Sequence, residues 1–197
     1  PGNEVMRHVI EDLEAASECL KDDPIITSSD HLVNHSTTGD NFLEYRTLRL
    51  NYYAIQALLA RAYFYISSYS DGNQAEYKRL AQHYAESVIN VASEHFPFVD
   101  KANILGSPEN VDRIFASELI FALSNTNRNL MFKNNNDPDH RPQPVLTMDP
   151  VLLEAPYFGG GETTGGSTDD YRYIANWKKS GNSYYFYKYA DLNDVSL

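Results

Sequence analysis

Apolar side chains recur every three or four residues over 4–21, which is the spacing of one helix face. Charged side chains occupy the other faces of this segment, so we expect an amphipathic helix there. Pro24 and the polar stretch 27–41 end the pattern, and we expect that stretch to cross the surface as a linker. The predicted apolar stripe consists of Val5, Val9, Leu13, Ala16 and Leu20.

The strongest helical periodicity covers 46–91, interrupted by a polar break at 67–73 that contains Asp71-Gly72-Asn73. It predicts two helices joined by a turn, an αα-hairpin with alanines at the seam. Its alanine and aromatic alternation resembles a tetratricopeptide-type pair, and further helices should stack on it because one pair cannot bury both faces. The first predicted stripe contains Leu50, Tyr53, Ala54, Ala57, Leu58, Ala60, Arg61, Phe64 and Tyr65, and the second contains Tyr77, Leu80, Ala81, Tyr84, Ala85, Val88 and Ile89.

The part of the chain from 111 to 197 is rich in Pro, Gly and Asn, which predicts loops on a helical scaffold. Residues 114–123 form a short apolar run that fits either a strand or a helical segment, and 148–153 fit a short helix. Residues 184–189 are aromatic and favour a strand paired with 171–177 across a turn at 180–182. The sequence thus predicts one mainly α segment, 1–197, with tetratricopeptide-like helix pairs, long irregular loops and a possible small β-hairpin.

Charge and cysteine usage narrow the classes of partner. Twenty-seven acidic and sixteen basic side chains give a formal charge of −11, which disfavours nucleic acid and anionic membrane surfaces and suits a neutral or cationic ligand. Cys19 is the only cysteine, so a disulfide framework is excluded. No run approaches the roughly 20 apolar residues of a membrane span. The start at Pro1 is typical of an internal segment or a processed chain.

Several motifs together resemble the SusD/RagB family of surface lipoproteins, which hold glycans for a partner outer-membrane transporter. They occur in the family's order and span almost the whole chain. Members are more than twice as long and carry a lipidated N-terminal Cys, so this chain resembles their middle. The matching segments are Asp12-Leu13-Glu14-Ala15-Ala16, Arg49-Leu50-Asn51 with Ala54 and Ala57-Leu58-Leu59-Ala60-Arg61-Ala62-Tyr63, then Ala81, Tyr84-Ala85 and Val88-Ile89, Ser117-Glu118-Leu119-Ile120-Phe121, and Asp170-Tyr171-Arg172 followed by Lys188-Tyr189.

The resemblance implies a function, a partner and a location. The expected activity is reversible capture of an oligosaccharide, or another neutral nutrient, for a TonB-dependent transporter. The expected place is the extracellular face of the outer membrane, held there only by a lipid anchor outside this chain. No cofactor is implied. The alternatives are a helical-repeat scaffold that binds a protein or peptide, and a fragment of a glycoside hydrolase.

Catalytic and metal motifs are weak. Neither a Gly-x-Ser-x-Gly elbow nor a phosphate loop is present, and the carboxylates at 154, 162, 169 and 170 fall in polar loops, so we expect no enzyme and no catalytic residue. His31 and His35 have zinc spacing without zinc context, while Asp71, Asn73 and Glu76, or Asp137 and Asp139, only partly match a calcium loop. We therefore expect no metal. Arg49, Arg61 and Glu118 are expected to be buried or half-buried packing residues rather than ligand contacts.

Aromatic residues in polar loops are the best candidates for a binding site. A pyranose presents an apolar C–H face that packs on Trp or Tyr, while its hydroxyls need amide or carboxylate partners. Trp177, Tyr157 and Phe158 lie in or beside Gly-, Asn- and Asp-rich stretches, with Tyr171 and Tyr173 as alternates. The competing interpretation places Trp177 in the core.

Overall fold

The computed structural model describes residues 2–27, 45–69, 71–105, 112–123, 125–139, 146–151, 153 and 171–190, and the predicted linker 27–41 lies almost entirely outside them. The fold is mainly helical with long loops and one small antiparallel hairpin, which confirms the predicted fold class. The helices are α1 (Gly2–Cys19), α2 (Tyr52–Ile66), α3 (Gln74–His95), α4 (Lys101–Leu105), α5 (Arg128–Asn135) and α6 (Tyr171–Asn176), and the strands are β1 (Trp177–Ser180) and β2 (Ser183–Phe186).

The chain divides into two compact units, and neither is a single stretch of sequence. The helical unit comprises Pro1–Phe98 and Ser117–Ser124. The hairpin unit comprises Val99–Ala116 and Asn125–Leu197. Within the described residues, no helix is long and apolar enough to cross a membrane.

The helical hairpin predicted over 46–91 is confirmed as α2 and α3. Gly72 has a φ of 88° in the turn between them, a conformation that favours glycine. Ring contacts show that the helices run antiparallel: Tyr53 packs on His95 at a centroid distance of 5.3 Å, and Tyr63 stacks on Tyr84 at 5.7 Å. The first helix, α1, also runs antiparallel to α2. The hydroxyl of Tyr63 donates to Glu14 at 2.6 Å, whereas the earlier residue Gln56 donates to the later residue Ser17.

The predicted stripe on α2 is confirmed at Tyr53 and Ala54, which are buried, and was wrong over the rest of the helix. Ile55, Leu59 and Ile66 are fully buried at 0% exposure, together with Ala62 and Tyr63. Leu58 is 39% exposed and Phe64 is 71% exposed, and Leu50, Arg61 and Tyr65 are exposed as well. The reason is that α2 is apolar almost all round, with Arg61 as its single charged residue, so periodicity alone does not select the buried face.

The same ambiguity affects the helices on either side. In α1 the side chains that pack against the core are Met6, Ile10, Leu13, Ala16 and Leu20, whereas the predicted Val5 and Val9 are exposed. Val5 and Val9 have the same four-residue spacing as Met6 and Ile10, so the sequence offered two adjacent stripes. The predicted face of α3 is confirmed at Ala81 and Val88 and was wrong at Ile89, which is exposed.

A buried ion pair organises the entry into α2, and it does not involve the arginines predicted for such a role. Arg49 and Arg61 are exposed, so their predicted burial was wrong, and Glu118 is half-buried. The buried guanidinium is that of Arg46, in a 3-10 turn at Arg46–Leu48, and it binds Asp23. Asp23 caps a second 3-10 turn, Pro24–Ile26, by accepting from the Ile25 amide at 3.1 Å.

The apolar run 114–123 forms neither a strand nor an α-helix in its described residues. It contains a 3-10 turn at Ala116–Glu118. Further along, the Ala122 amide donates to the Thr47 carbonyl at 2.8 Å and Ile120 packs against the cluster of Ile25, Tyr53 and Phe96. This segment therefore completes the core of the helical unit.

Candidate functional site

The β-hairpin of the hairpin unit has a defined register that sorts its side chains onto two faces. Trp177 lies opposite Phe186, and Lys179 lies opposite Tyr184. These four residues share one side, because residues directly opposite each other in an antiparallel pair point the same way. We call this side the tryptophan face. The opposite face carries Lys178 with Tyr185 and Ser180 with Ser183.

Local chemistry explains why the strands form here. Gly181 has a φ of 60° in the turn, a conformation typical of two-residue hairpin loops. The second strand, Ser183–Phe186, is mostly aromatic, which suits a half-buried pleated surface. The predicted turn at 180–182 is thus confirmed, but the predicted strand over 171–177 was wrong, because 171–176 form α6 and only Trp177 enters the strand.

The outer edge of β2 also has a backbone partner. Met148 forms an isolated antiparallel bridge with Tyr184, in which the Met148 amide donates to the Tyr184 carbonyl at 3.0 Å. The Asp149 carbonyl then accepts from the Leu153 amide, as in the short helix predicted over 148–153. The aromatic strand is consequently held from both edges.

Aromatic rings form two groups of contacts that begin at the tryptophan face. The Trp177 and Phe186 centroids are 4.9 Å apart, and Phe186 contacts Tyr189 at 6.1 Å. Tyr173 of α6 meets Tyr184 edge-on at 6.0 Å. Trp177 and Tyr173 are half-buried, and Tyr189 is 44% exposed. Two of the five predicted contact residues, Trp177 and Tyr173, therefore each contact an aromatic ring of β2 and are partly open to solvent.

The remaining predicted contact residues are less fully described. Tyr157 and Phe158 lie outside the described residues. Tyr171 begins α6, but its side chain is not among those described. Tyr189 contacts Phe186, although the sequence did not single it out as a contact. Its position at the end of a run of alternating Lys and Tyr was the available signal.

The opposite face is anchored by a buried ring. Phe132 of α5 is buried and packs on Tyr187 at 5.0 Å, and the ammonium of Lys178 lies 4.8 Å from the centre of the Tyr187 ring. Burial raises the pKa of the Tyr187 phenol, and the carboxylates of Asp137 and Asp139 raise it further. Partial burial lowers the pKa of Lys178, with a smaller contribution from the nearby Arg113 guanidinium.

An amide side chain lies directly before the tryptophan. Asn176 is 6% exposed, its main-chain carbonyl accepts from the Tyr187 amide at 2.7 Å, and its side-chain Oδ1 has no donor within the described residues. Buried acceptors are normally paired, so this oxygen is chemically notable. Nothing in the sequence indicated Asn176 beyond its position next to Trp177.

The carboxylates considered for calcium have local structural partners. The Asp71 carboxylate accepts from the Asn73 amide, the Tyr77 hydroxyl and Arg7, and the Asn73 contact is the largest contribution to a lowered pKa of Asp71. Asp137 accepts from the Asp139 amide at 3.0 Å. Among the residues that the structure describes, no three His, Cys, Asp or Glu side chains are grouped so as to hold a metal.

No protein-family model, no curated protein and no solved structure matches this chain. The resemblance to the SusD/RagB family therefore stays a prediction based on the ordered motifs. The aromatic surface of the hairpin unit is the chemical basis on which a function can be argued.

Proposed function

We propose that the chain is a non-catalytic glycan-binding protein that captures oligosaccharide at its tryptophan face. The observation that carries this proposal is the ring layer formed by Trp177, Phe186 and Tyr189, which is partly open to solvent. The apolar face of a pyranose packs on such a layer, and Trp and Tyr add polar atoms at its rim.

The wider role rests on the family resemblance. It supports a place on the extracellular face of the outer membrane, a lipid anchor outside this chain, and delivery of the sugar to a TonB-dependent transporter. Binding of this kind breaks no bond and needs only a pre-formed surface. The rigid part of that surface is the hairpin, fixed by Met148 on one edge and β1 on the other.

Trp177 provides a direct test because it is the only tryptophan of the chain. Titration with a panel of oligosaccharides should change its fluorescence, and calorimetry should give the same affinity. Trp177→Ala should weaken binding at least about tenfold, which corresponds to about 1.4 kcal/mol. Phe64→Ala is the matched control, since this exposed aromatic belongs to the helical unit and should leave sugar binding unchanged.

Three outcomes oppose the proposal. A panel that gives neither heat nor a fluorescence change would remove the case for a sugar site. Release of new reducing ends from a polysaccharide mixture would favour the glycoside hydrolase alternative instead. Equal losses in Trp177→Ala and Phe64→Ala would show that the hairpin is not the contact surface.

A second surface favours a protein partner. The outward side of α2, which we call the outer α2 face, consists of Ala57, Leu58, Ala60, Arg61, Phe64 and Tyr65. It is apolar except for the Arg61 guanidinium, whereas the exposed residues of α1 and α3 are mostly polar or charged. Exposed apolar surface of this kind marks interaction sites, and the single cation suits a partner carboxylate.

The transporter expected from the resemblance is the partner to test against the outer α2 face. Phe64→Ser and Arg61→Glu should each weaken the complex with the purified transporter, measured by surface plasmon resonance. Trp177→Ala should leave that affinity unchanged. Unaltered binding of both α2 variants would assign the contact to another surface.

A further inference from the structure

The hairpin segment differs sharply in charge from the rest of the chain. Residues 171–190 contain Arg172, Lys178, Lys179 and Lys188 but no Asp or Glu, a formal charge of +4 in a chain that carries −11 overall. The rest of the chain therefore carries −15. Cations are thus concentrated on the element that also carries the only tryptophan, and a local excess of positive charge favours anions.

The hairpin lysines lie over rings instead of pairing with carboxylates. The ammonium of Lys179 is 5.5 Å from the Tyr184 centroid, and that of Lys188 is 6.0 Å from the Tyr189 centroid. Lys178 lies over Tyr187 in the same way. None of the three has an ion pair with a carboxylate of the described chain, although lysine and arginine elsewhere do, as in Lys21 with Glu18. A cation on a ring face keeps its charge and can still donate to an anion.

The strand places one of these cations beside the aromatic layer. Trp177 and Lys179 are two residues apart on β1, so both belong to the tryptophan face and their Cα atoms are about 6.6 Å apart. Lys179 is exposed, while Trp177 is half-buried. This separation suits a sugar whose ring lies on the indole and whose exocyclic substituent extends along the strand.

We propose that the tryptophan face binds an acidic sugar, with the pyranose ring on Trp177 and a carboxylate or sulfate group on the ammonium of Lys179. The inference rests on the proposed function and narrows its ligand class from oligosaccharides in general to anionic glycans, in contrast to the neutral ligand expected from the overall charge. A charge-assisted hydrogen bond from an ammonium to a carboxylate or sulfate is shorter and stronger than one between neutral groups. The acidic surface elsewhere opposes unspecific binding of anions, so the recognition is local.

Paired ligands that differ only in charge test the proposal. Oligogalacturonate is compared with its methyl ester, and a sulfated galactan oligosaccharide with its desulfated form, by Trp177 fluorescence and calorimetry. We expect the charged member of at least one pair to bind about five- to tenfold more tightly at low salt. The advantage should shrink at about 1 M salt, where the screening length falls to about 3 Å. The two pairs distinguish a carboxylate from a sulfate.

Variants at Lys179 assign the effect to one side chain. Lys179→Met retains the aliphatic stem and should reduce the affinity for the charged ligand to that for its neutral partner, whereas Lys179→Arg should preserve the preference. Lys78→Met removes an exposed cation from α3 and should change nothing. Because both positions are exposed, the three variants should retain the circular dichroism spectrum of the parent chain.

The outcomes separate this inference from the proposed function. If charged and neutral partners bind equally, or if Lys179→Met keeps the preference, the acidic-sugar inference is overturned while sugar binding stands. If the neutral members bind more tightly, it is overturned as well. If no member of either pair perturbs Trp177 or gives heat, and the neutral panel is silent too, the proposed function itself fails.

Discussion

Arg46 binds Asp23 through two parallel hydrogen bonds, from Nε to Oδ1 at 2.8 Å and from Nη2 to Oδ2 at 2.7 Å. The side chains are 3% and 0% exposed, respectively. The same carboxylate accepts from the backbone amides of Ile25 and Tyr52, and the Arg46 guanidinium also donates to the Leu50 carbonyl. One ion pair thus connects the segment after α1 to the start of α2.

Breaking this pair should strongly destabilise the helical unit. Arg46→Met leaves the Asp23 carboxylate buried without its cation, and we expect a loss of about 3–5 kcal/mol in unfolding free energy. Urea denaturation followed by circular dichroism measures it, because the only tryptophan lies in the other unit. Arg79→Met breaks the exposed pair with Glu76 and should have little effect. Equal losses in the two variants would contradict the assigned role.

Adjacent leucines on α2 test which face is buried. Leu59→Ala removes a side chain that is 0% exposed and should cost about 2–5 kcal/mol. Leu58→Ala changes a 39% exposed side chain one position earlier, and we expect a clearly smaller loss. The same urea titration compares them. A larger loss at Leu58 would restore the stripe that the sequence predicted.

The helices could be predicted because their periodicity is long and the polar break at 67–73 is distinct. The buried side of α2 could not, because a helix that is apolar on all sides offers several equivalent stripes and tertiary packing selects among them. For α1, the pairs Val5–Val9 and Met6–Ile10 were equally good candidates. The Arg46–Asp23 pair joins residues 23 positions apart, a distance over which local sequence patterns carry no information.

The candidate site could also be predicted only in part from the sequence. The turn at Gly181 and the aromatic strand after it could be predicted, because glycine and β-prone residues have strong local conformational preferences. Tyr171–Asn176 form a helix that ends where β1 begins, and no cap or periodicity in so short a segment indicated it. The position of Asn176 Oδ1 depends on the strand register, which the sequence does not specify. The concentration of lysines over 171–190 can be found by counting charges along the sequence, but it was not predicted.

Two asparagines at helix starts provide a matched comparison. Asn51 Oδ1 accepts from the Ala54 amide at 2.9 Å, while its Nδ2 donates to the carbonyls of Arg46 and Ile120. Asn73 precedes α3 without a side-chain capping bond. Asn51→Ala should therefore cost about 2–3 kcal/mol and Asn73→Ala much less, as measured by chemical denaturation. Similar costs would show that the Asn51 network contributes little.

Alkaline pH should lower the unfolding free energy of the helical unit because of the titration of Tyr63. Burial, followed by the hydrogen bond to Glu14, raises the pKa of Tyr63 well above its ordinary value of about 10. Above that pH the unfolded chain loses the phenolic proton while the folded chain keeps it. The contribution of Tyr63 to the unfolding free energy is thus fully present below about pH 10. It falls as pH rises further, by up to about 1.4 kcal/mol per pH unit.

Tyr63→Phe separates this titration from other alkaline effects. The variant loses one hydrogen bond, about 1 kcal/mol at neutral pH. Its unfolding free energy should then decline less steeply than that of the parent chain between pH 10 and 11, since burial also raises the pKa of Tyr53 and Tyr84 in both proteins. Parallel curves in urea titrations across this range would exclude Tyr63 as the responsible group.

The hydrogen bond from Asn51 to the Ile120 carbonyl, at 2.8 Å, has an evolutionary consequence. It ties Ser117–Ser124 to helices that lie before the hairpin unit begins, so the two units are interleaved along the gene. A recombination breakpoint after residue 98 would separate Ile120 from Tyr53 and Phe96, which it covers. Exchange between related genes therefore has to transfer the hairpin unit together with the helical unit, and inheritance of either alone is disfavoured.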